Sequence, residues 1–105
     1  MTAVCFIRSE GLITGFELKG HSGFDRSGSD ILCAAISSAA YMTVNAITDV
    51  LFLNADISEE DGYMKMKLSS QDAVKAQDIL KGFELHMNGL SEQYQRNIKV
   101  IYSEV

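Results

Sequence analysis

Proline and tryptophan are absent from this chain of 105 residues, and cysteine and histidine occur only twice each. Without proline there is no stiff, extended linker at which to divide it, and the length suits one domain over residues 1–105 with one core. Two cysteines, Cys5 and Cys33, are too few for a disulfide-stapled secreted scaffold. The N-terminus also lacks the cationic start and apolar run of a signal peptide, so reduced thiols and a cytoplasmic location are expected. Basic residues are scarce as well, nine Lys and Arg against fourteen Asp and Glu, for a net charge of −5. That balance argues against a phosphate-backbone ligand and so against direct nucleic-acid binding, while it favours encounter with a basic partner.

What the chain does have is apolar content, 47% of its residues, which places it well outside the disordered regime. Residues 31–53 are mostly apolar and long enough to span a bilayer as a helix. Ser37, Ser38, Thr43, Asn45, Thr48 and Asp49 interrupt the run, and no basic residue follows closely to fix an orientation. The expectation is therefore no membrane span, but a long central helix buried on most sides within a small core.

A short apolar run with β-branched and aromatic residues, Thr2–Arg8, and the period-two stretch Leu12–Lys19, with Gly11 between them, read as a hairpin. Gly20–Ser29 has three glycines and no period, and reads as a mobile loop; Ser29 or Asp30 then caps the central helix, with Cys33 in its first turn. A second hairpin is expected where 55–58 and 62–68 flank a Glu-Glu-Asp-Gly turn, with Met64, Met66 and Leu68 alternating with Lys65 and Lys67. Ser69 and Asp72 form a capping-box pattern ahead of an amphipathic helix whose stripe is Val74, Ala76, Ile79, Leu80, Phe83, Met87 and Leu90. Residues 97–104 alternate as a closing strand. The order is ββαββαβ, an α+β fold with one sheet, a long central helix and a second amphipathic helix.

Chemistry concentrates around Gly20-His21 and Cys33, which lies twelve positions after the imidazole. Cysteine attacks carbonyls as thiolate, and a helix N-terminus or a neighbouring imidazolium lowers a thiol pKa from about 8.5 to roughly 3.5–7.5. The glycine-rich stretch lets the chain fold back so that His21 meets Cys33. From the residues alone, Cys33 amid Ile31, Leu32, Ala34 and Ala35 reads first as a small core residue, and His21 as a solvated loop or turn side chain. Asp30 and Ser37, three before and four after Cys33, share its helix face; each can cap, hold the imidazole or hydrogen-bond near the thiol. Cys5, in a strand's apolar run, reads as buried and inert, and His86 as a surface residue. The spacing of these histidines and cysteines matches no zinc site.

The run GHSGFDRSGSDILCAAISSAAYMTVNAI resembles the signature of the ribosomal-processing cysteine proteases (Prp): a Gly-His pair, a loop ending in Gly-x-Asp, and a Cys-Ala-Ala-x-Ser helix. The likeness extends from the N-terminal hairpin to the closing LSEQYQRNIKVIYSEV. It implies a homodimeric enzyme without metal or cofactor that removes the N-terminal extension of ribosomal large-subunit protein twenty-seven. By motif position it makes Cys33 the nucleophile and His21 the base, with Gly20, Asp30 and Ser37 in support. Ser22, where alanine is frequent, and Arg26-Ser27, where an aromatic is frequent, depart from the pattern and bear on substrate preference rather than on the dyad. The expected mechanism is thiolate attack with the oxyanion held by backbone N–H groups of residues 31–33. The rival readings are a non-catalytic ribosome-associated adaptor and a redox protein, the latter disfavoured by the lack of a Cys-x-x-Cys spacing.

Overall fold

The computed structural model describes residues 1–20 and 26–105, for 26–30 the backbone alone. β1 (Thr2–Ser9) and β2 (Leu12–Lys19) form the first hairpin. Its two-residue turn, Glu10-Gly11, has φ of 50° and 81°, the left-handed pair whose twist matches that of the flanking strands. β3 (Asp56–Glu60) and β4 (Tyr63–Lys67) form the second, turning at Asp61-Gly62 with Gly62 at φ 72°. β5 (Ile98–Glu104) runs parallel to β1 and completes one sheet in the order β3-β4-β2-β1-β5.

Both expected helices pack on one face of this sheet. α1 (Arg26–Asn45) buries Leu32, Ile36, Ala40 and Val44. The second helical segment starts with α2 (Ser70–Ala73), tightens through a 3-10 turn at Val74–Ala76 and continues as α3 (Gln77–Gln93), burying Leu80, Phe83 and Met87. The Ser69 hydroxyl accepts from the Asp72 N–H at 3.2 Å, the cap expected there. These residues share a core with Val4, Phe6, Phe16, Leu18, Met64 and Met66 of the strands. The α+β class and the strand and helix order agree with the sequence.

Three local expectations need correction. α1 begins at Arg26, so Ser29 and Asp30 lie inside it rather than capping it, and Cys33 stands seven residues in, about two turns. Gly and Ser each cost up to about 1 kcal/mol in a helix, but extending an existing helix adds a hydrogen bond per residue, so weak propensity did not stop it at residue 29. Second, α1 is not buried on most sides: Ile31, Tyr41 and Met42 face outward, because the sheet and the second helix cover only its Leu32, Ile36, Ala40 stripe. It is long and apolar enough to cross a membrane, yet its buried stripe lies on the sheet. Third, Val74 is exposed, displaced from the stripe by the 3-10 turn, and Ala73 takes its place in the core.

Beyond Asn45 the helix widens to a π turn, Ala46–Val50, closed by Leu51 N–H donating to the Ala46 carbonyl at 2.9 Å. Phe52 ends it in the left-handed region, φ 57°. In β2 the register shifts opposite Ile7/Arg8, leaving Thr14 as the extra residue of a bulge. Gln77 repairs the interrupted ladder: its Nε2 donates to the Ile13 carbonyl at 2.8 Å, and its Oε1 accepts from the Ile13 N–H at 3.0 Å. Next to the bulge β2 and β4 close tightly, so that a Cβ on Gly15 would lie 2.2 Å from the Met66 carbonyl oxygen.

Two alanine substitutions therefore part in sign. Gly15→Ala forces β2 away from β4 and is expected to lower stability by about 2–3 kcal/mol, whereas Gly89→Ala, in α3 with nothing within 4 Å of the new Cβ, should raise it by up to about 1 kcal/mol. Urea unfolding midpoints measure both.

Candidate active site

The stripe of α1 that packs on the sheet, Leu32, Ile36 and Ala40, fixes where its neighbours point. One residue further on, at the same four-residue spacing, are Cys33, Ser37 and Tyr41, and all three line a cavity of about 480 Å³ between α1 and the sheet. Cys33 and Ser37 are half-buried there, and Tyr41 is exposed at the mouth. The floor is Leu18 and Met64, and the far wall is the second hairpin, Glu59 through Tyr63.

Gly20 also lines this cavity, at the end of β2. Its φ of 88° is one that side chains rarely adopt, a Cβ would approach the Met1 carbonyl oxygen to 2.6 Å, and its N–H donates to the Gly62 carbonyl at 2.9 Å. The glycine joins the first sheet hairpin to the turn of the second. Of the five residues singled out from the sequence, Gly20, Cys33 and Ser37 are thus brought together. His21 lies outside the described residues, as does the side chain of Asp30, whose backbone is part of α1.

The longer helix changes one chemical expectation. Backbone N–H groups of residues 31–33 lie within α1, where the carbonyls four residues earlier take them up, so they are not a spare set of oxyanion donors. The dipole of the helix start is correspondingly about two turns away from the Cys33 sulfur.

Tyr63 was not foreseen as a wall of the site. It reaches the cavity at the start of β4, while its phenol, on the sheet face away from the helices, donates to Glu17 Oε2 at 2.6 Å, and this bond, ahead of burial, pushes its pKa above the ordinary tyrosine value. Tyr41 and the acidic Glu59-Glu60-Asp61 run were also missed. Extending the Cys33, Ser37 spacing by one more helical step would have found Tyr41, but only the strand pairing brings the hairpin turn to the cavity.

Cys5 and His86 lie elsewhere. Cys5 is partly buried on the face of the sheet that no helix covers, opposite Glu17, and burial followed by that carboxylate pushes its thiol pKa up. Neither cysteine forms a disulfide. His86 is exposed on α3 at a separate groove of about 290 Å³, lined also by Met42, Ile79 and Phe83.

Comparison with known proteins bears on this cavity. The family model of cysteine protease Prp matches residues 1–99. The ribosomal processing cysteine protease Prp of Staphylococcus aureus is 29% identical over 98 residues, covering 91% of this chain and 92% of the relative. The Bacillus subtilis protein of the same name is 28% identical over 94 residues, 84% of each chain. Among solved structures, the S. aureus essential ribosomal processing protease Prp with a covalently linked product peptide superposes with a TM-score of 0.87 at 28% identity, over 98% of this chain and 100% of that one. SMU.848 from Streptococcus mutans superposes with a TM-score of 0.83 at 30% identity, over 100% of this chain and 96% of that one. A thiol in an open cavity, a family match over nearly the whole length and a shared fold lead to one conclusion: the chain belongs to the cysteine protease Prp family and is a cysteine protease.

Proposed function

We propose that this protease removes the N-terminal extension of ribosomal large-subunit protein twenty-seven, with Cys33 as nucleophile and His21 as its general base. The observation that carries the reading is the placement of Cys33, Ser37 and Gly20 in one cavity open to a peptide. Relatives named as ribosomal processing proteases, one of them solved with a substrate peptide, support the substrate class. His21 directly follows Gly20, a cavity-lining residue, in the chain.

His21 takes the thiol proton and the Cys33 sulfur attacks the scissile carbonyl. The amine leaves with the proton from His21, and water, deprotonated by the same imidazole, cleaves the thioester and restores the thiol. Asp30, one turn before Cys33, orients the imidazole, and Ser37, one turn after, hydrogen-bonds near the sulfur or the substrate. No metal or cofactor takes part. The enzyme works in the cytoplasm, where thiols stay reduced, and its ligand is the extension peptide rather than nucleic acid.

It also works as a homodimer. Support comes from the end of the π turn that follows α1, where Val50, Leu51 and Phe52 are exposed in succession and Phe52 is 82% exposed on left-handed backbone. An aromatic ring held in water on strained backbone gains from a second copy that covers it.

Cys33→Ala and Cys33→Ser are expected to abolish cleavage of a peptide spanning the extension junction. His21→Ala should slow it about 10²- to 10⁴-fold, with circular dichroism unchanged in each variant. Uncut peptide in the presence of folded wild type under reducing conditions would instead support the adaptor reading. Alkylation of Cys33 followed by mass spectrometry should titrate well below the ordinary thiol value of about 8.5 in wild type and return toward it in His21→Ala. Cys5, its thiol raised by burial, should label slowly throughout. Light scattering should give twice the chain mass for wild type and a lower mass for Phe52→Ser.

A further inference from the structure

Every charged side chain among the described residues that line the Cys33 cavity is a carboxylate: Glu59, Glu60 and Asp61. No lysine or arginine of the described residues forms an ion pair with them; the one ion pair recorded, Arg8–Glu84 at 3.0 Å, lies elsewhere. Three acids on a hairpin would by themselves mean little, but two further facts fix their meaning. The cavity that they wall contains the thiol, so a peptide being cut has to lie there. And strand register sets Glu59 apart from the other two.

Glu59 pairs with Met64, which pairs with Leu18, which pairs with Val4. Those three are buried beneath the helices, and residues paired across strands project to the same face. Glu59 therefore stands on the core-facing side of the edge strand β3, at the end of an apolar row, where an aliphatic side chain would extend the floor. Its carboxylate is exposed and faces the cavity instead. An inward charge on an edge strand can also serve to discourage edge pairing, and that role is indifferent to substrate sequence.

We propose that Glu59, together with Glu60 and Asp61, selects peptides that carry a lysine or arginine close to the scissile bond. This rests on reading the Cys33 cavity as the catalytic one, and it assigns a specificity residue that the dyad does not include. A cationic side chain lying along the Leu18 and Met64 floor keeps its methylenes on apolar surface and its charge at the carboxylates. A neutral or acidic side chain at that place meets an uncompensated negative field.

The test is a set of junction peptides cut by the full chain: one with Lys or Arg near the bond, one with norleucine or citrulline there, and one with Glu. The expected result for wild type is a preference of about fivefold or more in kcat/KM for the cationic over the neutral peptide, carried mostly by KM and shrinking as salt rises. Glu59→Gln should reduce that ratio toward one, and Glu59→Lys should favour the Glu peptide, a rescue that a purely structural or edge-protecting residue would not give. Asp61→Asn, in the hairpin turn that lines the same cavity, is a second probe should the strand tolerate change at 59 poorly. Equal cleavage of cationic and neutral peptides by wild type, or a preference that survives both Glu59 variants, overturns the inference while leaving the protease reading intact. Failure of wild type to cut any of the peptides overturns both.

Discussion

One helix has to satisfy a sheet, and the site is what that leaves over. α1 is held by the row Leu32, Ile36, Ala40, which sinks between the strands and α3; a turn of a helix is 3.6 residues, so the row that follows one position later faces sideways along the sheet rather than into it. Cys33, Ser37 and Tyr41 are that second row. Rotating the helix to bury the thiol would lift Leu32 and Ile36 into water, at a cost of about 1.5–3 kcal/mol for each side chain. Hydrophobic packing thus aims the sulfur at the cavity.

The two thiols show how strongly position decides chemistry. Cys5 alternates with Val4 and Phe6 on β1, and since those two point into the core, it points to the uncovered face. Cys33 lies on the helix side. A sheet separates them, so the two sulfurs cannot join in a disulfide with each other, which removes the structural basis for the redox reading. With burial and Glu17 both disfavouring its thiolate, Cys5 is a packing residue in spite of being only partly covered.

Most of the fold was legible because it follows from local rules: alternation in β1, β2, β4 and β5, the Ser69 cap, the helical stripe ending at Met87. Cys33, Ser37 and Gly20 were legible as a set through their motif, and they do share a cavity. The start of α1 was not, since the Ser-Gly-Ser-Asp stretch carries the residues of a cap but continues as helix. Nor was the acidic wall: Glu59 to Asp61 lie 26 or more positions from Cys33, and only the pairing of β4 with β2 brings their hairpin across from it. Val74 was misjudged because a single 3-10 turn shifts the phase of every helical position around it.

The parallel pairing of Thr2 with Ile98 through Arg8 with Glu104 has a consequence for synthesis. β1 is the strand next to the edge, and its outer neighbour, β5, is the strand most distant from it along the chain. Until β5 emerges, one flank of β1 has its backbone groups unpaired, and Phe6 lacks the Tyr102 ring that stacks on it at 6.0 Å. Closing so long a stretch of chain is entropically slow. A sheet of this design stays open along that flank until residues 98–104 have been made and have returned across the whole fold to the strand at its other end.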